Sequence, residues 1–71
     1  MVVDSVIGSV EAFDAEIGLG TVVTKGGVVY QFHCTSIDDG TRSIQPGQLV
    51  TFRVAPRGLG SAEATNVVKV G

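Results

Sequence analysis

Tryptophan is absent from this chain and aromatic residues make up only 6% of it, so other apolar residues must supply the core. Hydrophobic residues still account for 44% of the sequence, which is too many for a disordered segment. Valine is the commonest of them, and its branched Cβ suits a pleated strand better than a helix. The abundance of valine therefore indicates an all-β core.

Cysteine is nearly absent as well. The single Cys34 rules out an internal disulfide and fits a reducing, cytoplasmic setting. No apolar run approaches the roughly 20 residues that span a bilayer, and the N-terminus lacks the pattern of a secretory signal. We therefore expect a cytoplasmic protein without a membrane segment, in which residues 1–71 form one small domain of marginal stability.

Positive charge is scarce. Five Lys and Arg residues stand against seven Asp and Glu residues, which gives a net charge of −2. Phosphate binding is driven by Lys and Arg displacing counterions, so any nucleic-acid site must depend on local charge and on stacking. The basic residues are spread along the chain rather than clustered: Lys25, Arg42, Arg53, Arg57 and Lys69.

The residue types of an active site are also missing. The sequence has no nucleophile–base–orienter set and too little chain to enclose a substrate. Cys34 follows His33, but no further His or Cys can complete a zinc shell, and adjacent strand residues point to opposite faces. The run at residues 38–40, Asp-Asp-Gly, lacks calcium-loop spacing and is typical of a turn. We expect no enzymatic activity, no cofactor and no metal.

Turn-forming residues cut the chain at short intervals, as in a β-barrel or sandwich. Five strands are predicted, over residues 6–13, 19–24, 28–33, 48–54 and 62–70. Four connections separate them, at residues 14–18, 25–27, 35–47 and 56–60. The third connection has room for one helical turn at residues 35–37. A meander of three strands followed by a long link predicts a five-stranded antiparallel Greek-key OB-fold barrel, with an SH3-like barrel as the alternative.

Two short motifs separate these alternatives. Ile-Gly-Leu-Gly-Thr-Val-Val at residues 17–23 and Tyr-Gln-Phe-His-Cys at residues 30–34 resemble the two ribonucleoprotein motifs of the cold-shock domain. In that family the motifs read Lys-Gly-Phe-Gly-Phe-Ile and Val-Phe-Val-His-Phe. The segments at residues 47–52 and 64–67 are similar to later family motifs, so the resemblance covers residues 8–67. It implies an OB fold that binds single-stranded nucleic acid.

In this family, outward Phe and His side chains on the second and third strands stack on successive bases. The resemblance places Leu19 and Thr21 where the first motif has Phe, and Gln31 where the second motif has its outward Phe. The family histidine is kept as His33. The nucleic-acid-binding residues that the resemblance implies are therefore Phe13, Leu19, Thr21, Gln31, His33 and Arg42.

Other aromatic and basic residues of the family pattern are replaced. The Trp of the first strand corresponds to Ala12, the Phe that ends the second motif to Cys34, and the loop aromatic to Thr41. Two basic positions beside the stacking surface become Glu11 and Ile17. Any nucleic-acid site in this chain therefore has less stacking area and less positive charge than the family pattern supplies.

Alternation on the third strand places Tyr30 and Phe32 on the inward face, so the aromatic rings of this strand belong to the core and not to the stacking surface. On the first strand, strict alternation from Val10 points Ala12 inward, whereas the family pattern requires it outward. A β-bulge near Phe13 would reconcile the two.

Losing three stacking side chains at ~1 kcal/mol each weakens nucleic-acid binding roughly a hundredfold. Two functions are compatible with this loss. The first function is a cold-shock-like domain that binds single-stranded RNA or DNA weakly or selectively. The second is an OB module that has exchanged nucleic acid for a protein partner, using the apolar surface at Leu19 and Ile17 or an open sheet edge. We favour the first because the resemblance covers nearly the whole chain.

Overall fold

The computed structural model describes residues 5–37, 44–58 and 61–70, without the side chains of residues 57, 58 and 61. Its elements in chain order are β1 (Val6–Asp14), β2 (Leu19–Thr24), β3 (Val29–His33), the 3-10 helix η1 (Cys34–Ser36), β4 (Leu49–Gly58) and β5 (Ser61–Lys69). The strands close into a barrel in the order β1–β2–β3–β5–β4. Neighbouring strands run antiparallel except β3 and β5, which pair in parallel. The five-stranded OB barrel expected from the sequence is confirmed.

The strand limits follow the sequence prediction closely at β1, β2 and β3, and η1 lies where one helical turn was expected. The prediction was wrong at β4, which continues to Gly58 through residues assigned to a loop. Pro56 pairs with Ala62 just before a register shift in the ladder, a place where proline's missing N–H does little harm. The connection between β4 and β5 is therefore only residues 59–60.

The core is built from inward residues of every strand and from two isoleucines of the connection between β3 and β4. Its fully or nearly fully buried members are Val10, Val22, Phe32, Ile37, Ile44, Val50, Phe52, Ala64 and Val67. Tyr30 packs edge-on against the ring of Phe52, with ring centroids 5.8 Å apart and an interplanar angle of 61°. Tyr30 and Phe32 thus lie on the inward face, as alternation predicts. Burying each large apolar side chain contributes roughly 1.5–3 kcal/mol.

The turn between β1 and β2 is held by the Asp14 carboxylate. Asp14 Oδ1 accepts hydrogen bonds from the backbone N–H groups of Glu16, at 3.0 Å, and Ile17, at 3.4 Å. The turn closes when the Gly18 N–H donates to the Asp14 carbonyl at 2.8 Å. Gly18 has φ +70°, a conformation that strains residues with a Cβ. This turn fixes where β2, and with it the expected binding surface, begins.

The bulge expected in the first strand is present. Val10 pairs with Val22 and Ala12 pairs with Thr21, so Glu11 has no partner of its own on β2. Because of this extra residue, both Glu11 and Ala12 are exposed to solvent. The family-like outward position of Ala12 is therefore compatible with an inward Val10.

Within the described residues, no helix has the length and apolar character needed to cross a membrane.

Candidate nucleic-acid interface

Four of the six site residues predicted from the sequence lie together on the outer surface of β2 and β3. Leu19 is the cross-strand partner of His33, and Thr21 is the partner of Gln31. All four side chains point away from the core, since the alternating positions Gly20, Val22 and Phe32 are buried. We call Leu19, Thr21, Gln31 and His33 the platform.

Close packing beneath the platform depends on a glycine. A Cβ added at Gly20 would lie 2.6 Å from Phe32 Cζ and 2.8 Å from the Ala12 carbonyl oxygen, both inside normal contact distance. The missing side chain therefore lets β1 and the Phe32 ring approach β2 from either side. The platform thus rests directly on the core.

Phe13 lies beside the platform rather than on it. Its ring is half-buried and stacks on Phe32, with centroids 5.9 Å apart and an interplanar angle of 11°. A shallow depression of about 270 Å³ opens here, lined by Ala12, Phe13, Asp14, Ile17, Leu19, Gly20, Thr21 and Gln31. Phe13 thus offers part of its ring to a ligand in this depression while the rest anchors the surface to the core.

The sixth predicted site residue, Arg42, lies outside the described residues, as do Thr41 and the Asp-Asp-Gly turn at residues 38–40. The structure therefore brings together five of the six, with Phe13 at the margin.

His33 is positioned by the turn that follows β3. As the N-cap of η1, its Nδ1 accepts a hydrogen bond from the Thr35 backbone N–H at 3.2 Å. The Thr35 hydroxyl lies 2.9 Å from the same nitrogen. Because Nδ1 accepts, the neutral ring carries its proton on Nε2. The cap therefore fixes both the orientation of the ring and which nitrogen is its donor.

The Cys34 and His33 side chains lie close together, although adjacent residues of a strand are expected to point to opposite faces. Cys34 Sγ is 3.8 Å from His33 Nδ1, because Cys34 begins η1 instead of continuing the strand. The sulfur also packs on the β1–β2 turn, where a Cβ on Gly18 would lie 2.8 Å from it. In the parts of the chain that the structure describes, no group of three or more His, Cys, Asp or Glu side chains could hold a metal ion.

Negative charge surrounds the platform. Glu11 accepts a hydrogen bond from the Thr21 hydroxyl at 3.3 Å, and Asp14 is the cross-strand partner of Leu19. Glu63 on β5 is the parallel partner of Gln31. Three carboxylates thus flank the surface, and they repel phosphate groups. A ligand is better tolerated when it presents its bases to the platform and keeps its phosphates in solvent.

Sequence reasoning missed Glu63 as a neighbour of the platform. β3 and β5 are about thirty residues apart in the chain, and no local pattern indicates which residue of β5 pairs with Gln31. The acidic character of Glu11 was visible in the sequence, because the family resemblance places it beside the stacking surface, whereas Asp14 was assigned to the connection at residues 14–18 and instead ends β1.

Comparison of the sequence with curated proteins gave no significant match. A family model described as the 'Cold-shock' DNA-binding domain matches residues 6–70. This span takes in all five strands of the barrel, the β1 bulge and the platform. The match extends over most of the chain and agrees with the closed OB barrel, so the chain belongs to the cold-shock domain family, a family of nucleic-acid-binding domains.

Proposed function

We propose that residues 1–71 form one cold-shock domain that binds single-stranded RNA or DNA weakly or selectively through the platform, with Phe13 and Arg42 beside it. The observation that carries this proposal is the in-register pairing of Leu19 with His33 and Thr21 with Gln31 on the outer surface. These are the positions at which the family presents its base-stacking residues, and here they form one continuous surface.

Binding is weak because the platform has little stacking area. His33 supplies its one ring, whereas Leu19 and Thr21 have none. Base–aromatic stacking contributes about 1–3 kcal/mol per base, so each missing ring weakens binding at least fivefold. The carboxylates of Glu11 and Asp14 further disfavour a phosphate track across this surface.

Selectivity comes from hydrogen bonding. His33 presents Nε2 as a donor, the Thr21 hydroxyl can accept while it donates its proton to Glu11, and the Gln31 amide has both a donor and an acceptor end. Groups of this kind read the edges of unstacked bases, which is how single-stranded RNA loops and ends are distinguished. A partly exposed Phe13 ring gives one base an apolar surface in the neighbouring depression.

A ¹⁵N–¹H NMR titration with short pyrimidine-rich RNA and DNA oligonucleotides at low salt tests the proposal. Shifts are expected at residues 19–23 and 31–34 and at Arg42, and they should fade as salt rises because phosphate contacts release counterions. The matched control region is β5 near Val68, on another part of the barrel. An absence of shifts at millimolar oligonucleotide would contradict nucleic-acid binding by this surface.

The second candidate function is an OB module that binds a protein through apolar residues beside the platform. Ile17 is 62% exposed and Leu19 is 40% exposed, and both line the 270 Å³ depression. The closed barrel gives no support to the version of this candidate that uses an open sheet edge. Replacing Ile17 with serine separates the two candidates, because it would weaken an apolar protein contact and leave hydrogen bonds from Gln31 and His33 in place.

A further inference from the structure

A polar depression of about 320 Å³ lies where η1 meets β5. It is lined by Thr35, Ser36, Ile37, Thr65 and Asn66, and we call these residues the polar hollow. Ile37 is buried at its base and pairs with Val67 through a parallel bridge. The volume is at the lower end of the range for small-ligand sites, and the rim consists of two threonines, a serine and an asparagine.

The backbone of β5 is distorted at this hollow. Thr51 pairs with Val68 and Arg53 with Thr65, so Asn66 and Val67 both lie opposite the single residue between them on β4. Asn66 has φ 50°, whereas Val67 is fully buried. The bulge therefore buries Val67 while leaving Asn66 exposed at the hollow, and bulges commonly redirect a side chain in this way beside a binding site.

The side chains of the hollow are available to a ligand. Among the described residues, no hydrogen bond involves the side chains of Ser36, Thr65 or Asn66. Asn66 and Thr35 are exposed, and Ser36 and Thr65 are half-buried. The hollow thus presents hydroxyl and amide groups to a ligand.

The hollow is continuous with the platform. The Thr35 hydroxyl at its rim lies 2.9 Å from His33 Nδ1, and His33 ends the platform on β3. A nucleic-acid strand with one base on His33 can therefore reach Thr35 with a neighbouring nucleotide. No residue of the hollow carries a charge, so a phosphate gains little there, whereas a ribose hydroxyl or a base edge finds partners that both donate and accept.

From this chemistry we propose that the polar hollow binds one nucleotide of the nucleic-acid strand through its ribose 2′-hydroxyl, which gives the domain a preference for RNA over DNA. The inference rests on the proposed function, since it needs a strand on the platform. The 2′-hydroxyl is the group by which a protein distinguishes RNA from DNA at a given position.

The test compares a short uridine-rich RNA with the deoxyuridine DNA of the same sequence, which differs from it only in the 2′-hydroxyl groups. We expect the RNA to bind roughly two- to tenfold more tightly, the range for one net hydrogen bond. Thr65→Val, Ser36→Ala and Asn66→Gly should remove this preference and leave the DNA affinity unchanged. Glycine at residue 66 keeps the left-handed backbone, and valine matches threonine in shape.

Ser9→Ala, at a serine on β1 that pairs with Val23 and Leu49 and does not line the hollow, is the matched control and should change neither affinity. Equal binding of RNA and DNA by the native protein, or a preference that survives the hollow variants, would overturn the inference and leave the platform proposal standing. Variants that weaken RNA and DNA binding alike would also overturn it. If neither oligonucleotide binds, the proposed function fails and this inference fails with it.

Discussion

Replacing Thr21 and Gln31 with phenylalanine should strengthen the binding of single-stranded nucleic acid to the platform. The two residues are direct cross-strand partners on β2 and β3, and both point outward from the barrel. Cβ atoms of such partners lie ~5 Å apart, so the two rings would cover adjacent parts of the same surface. The family pattern has aromatic rings at both positions.

The expected gain follows from the stacking energy. Two added rings at the lower value of ~1 kcal/mol each would tighten binding about thirtyfold. The substitution also removes the 3.3 Å hydrogen bond from the Thr21 hydroxyl to Glu11. That bond is exposed and Glu11 stays solvated without it, so its loss costs little.

Fluorescence anisotropy with a labelled oligothymidine measures the gain. Val68→Phe is the matched control, since it adds one ring to an exposed position elsewhere on the barrel, 41% exposed in the native chain. It should leave the affinity unchanged. If the double variant keeps a native-like NMR spectrum and binds no more tightly than the native protein, the surface of β2 and β3 is not the binding surface.

Two further predictions concern the packing and orientation of the same surface. Gly20→Ala should lower the free energy of unfolding in urea by about 1–3 kcal/mol, because the new Cβ meets a core ring and a backbone oxygen. Gly26→Ala is the control and should be nearly neutral, since the nearest atom to its Cβ would be 3.9 Å away. Equal losses of stability in the two variants would contradict this account of packing. His33→Ala and His33→Asn should both weaken oligonucleotide binding, but asparagine should retain the cap of η1 and about 1 kcal/mol of stability that alanine loses. If His33→Asn binds as tightly as the native protein, the ring takes no part in binding.

Much of the fold was predictable because its signals are local. Gly18 and Gly27 have φ of +70° and +85°, and the turns they permit set the limits of β2 and β3. The alternation of those strands then determines which side chains face out. The β1 bulge had no local signal of this kind: it was expected because the family resemblance requires an outward Ala12, whereas alternation from Val10 points Ala12 inward.

The errors come from interactions that no local pattern encodes. Proline and glycine at residues 56 and 58 were interpreted as a loop, yet the β4–β5 ladder passes through them. Cys34 was expected to face away from His33, but the chain turns into η1 at that residue. The polar hollow joins residues 35–37 to residues 65 and 66, and only closure of the barrel brings these segments together.

The two strand pairs that involve β5 differ in the number of paired residues. β3 and β5 share one paired position, Gln31 with Glu63, whereas β4 and β5 pair along most of their length. Parallel pairing is also slightly weaker per residue than antiparallel pairing. The barrel therefore consists of a three-stranded meander and a long hairpin, which on the β3–β5 side are joined by this one paired position and by the Ile37–Val67 bridge that follows it. This weaker join lies on the strand that carries Gln31 and His33, so we expect its local opening to displace the platform at a lower free energy than unfolding of the whole domain.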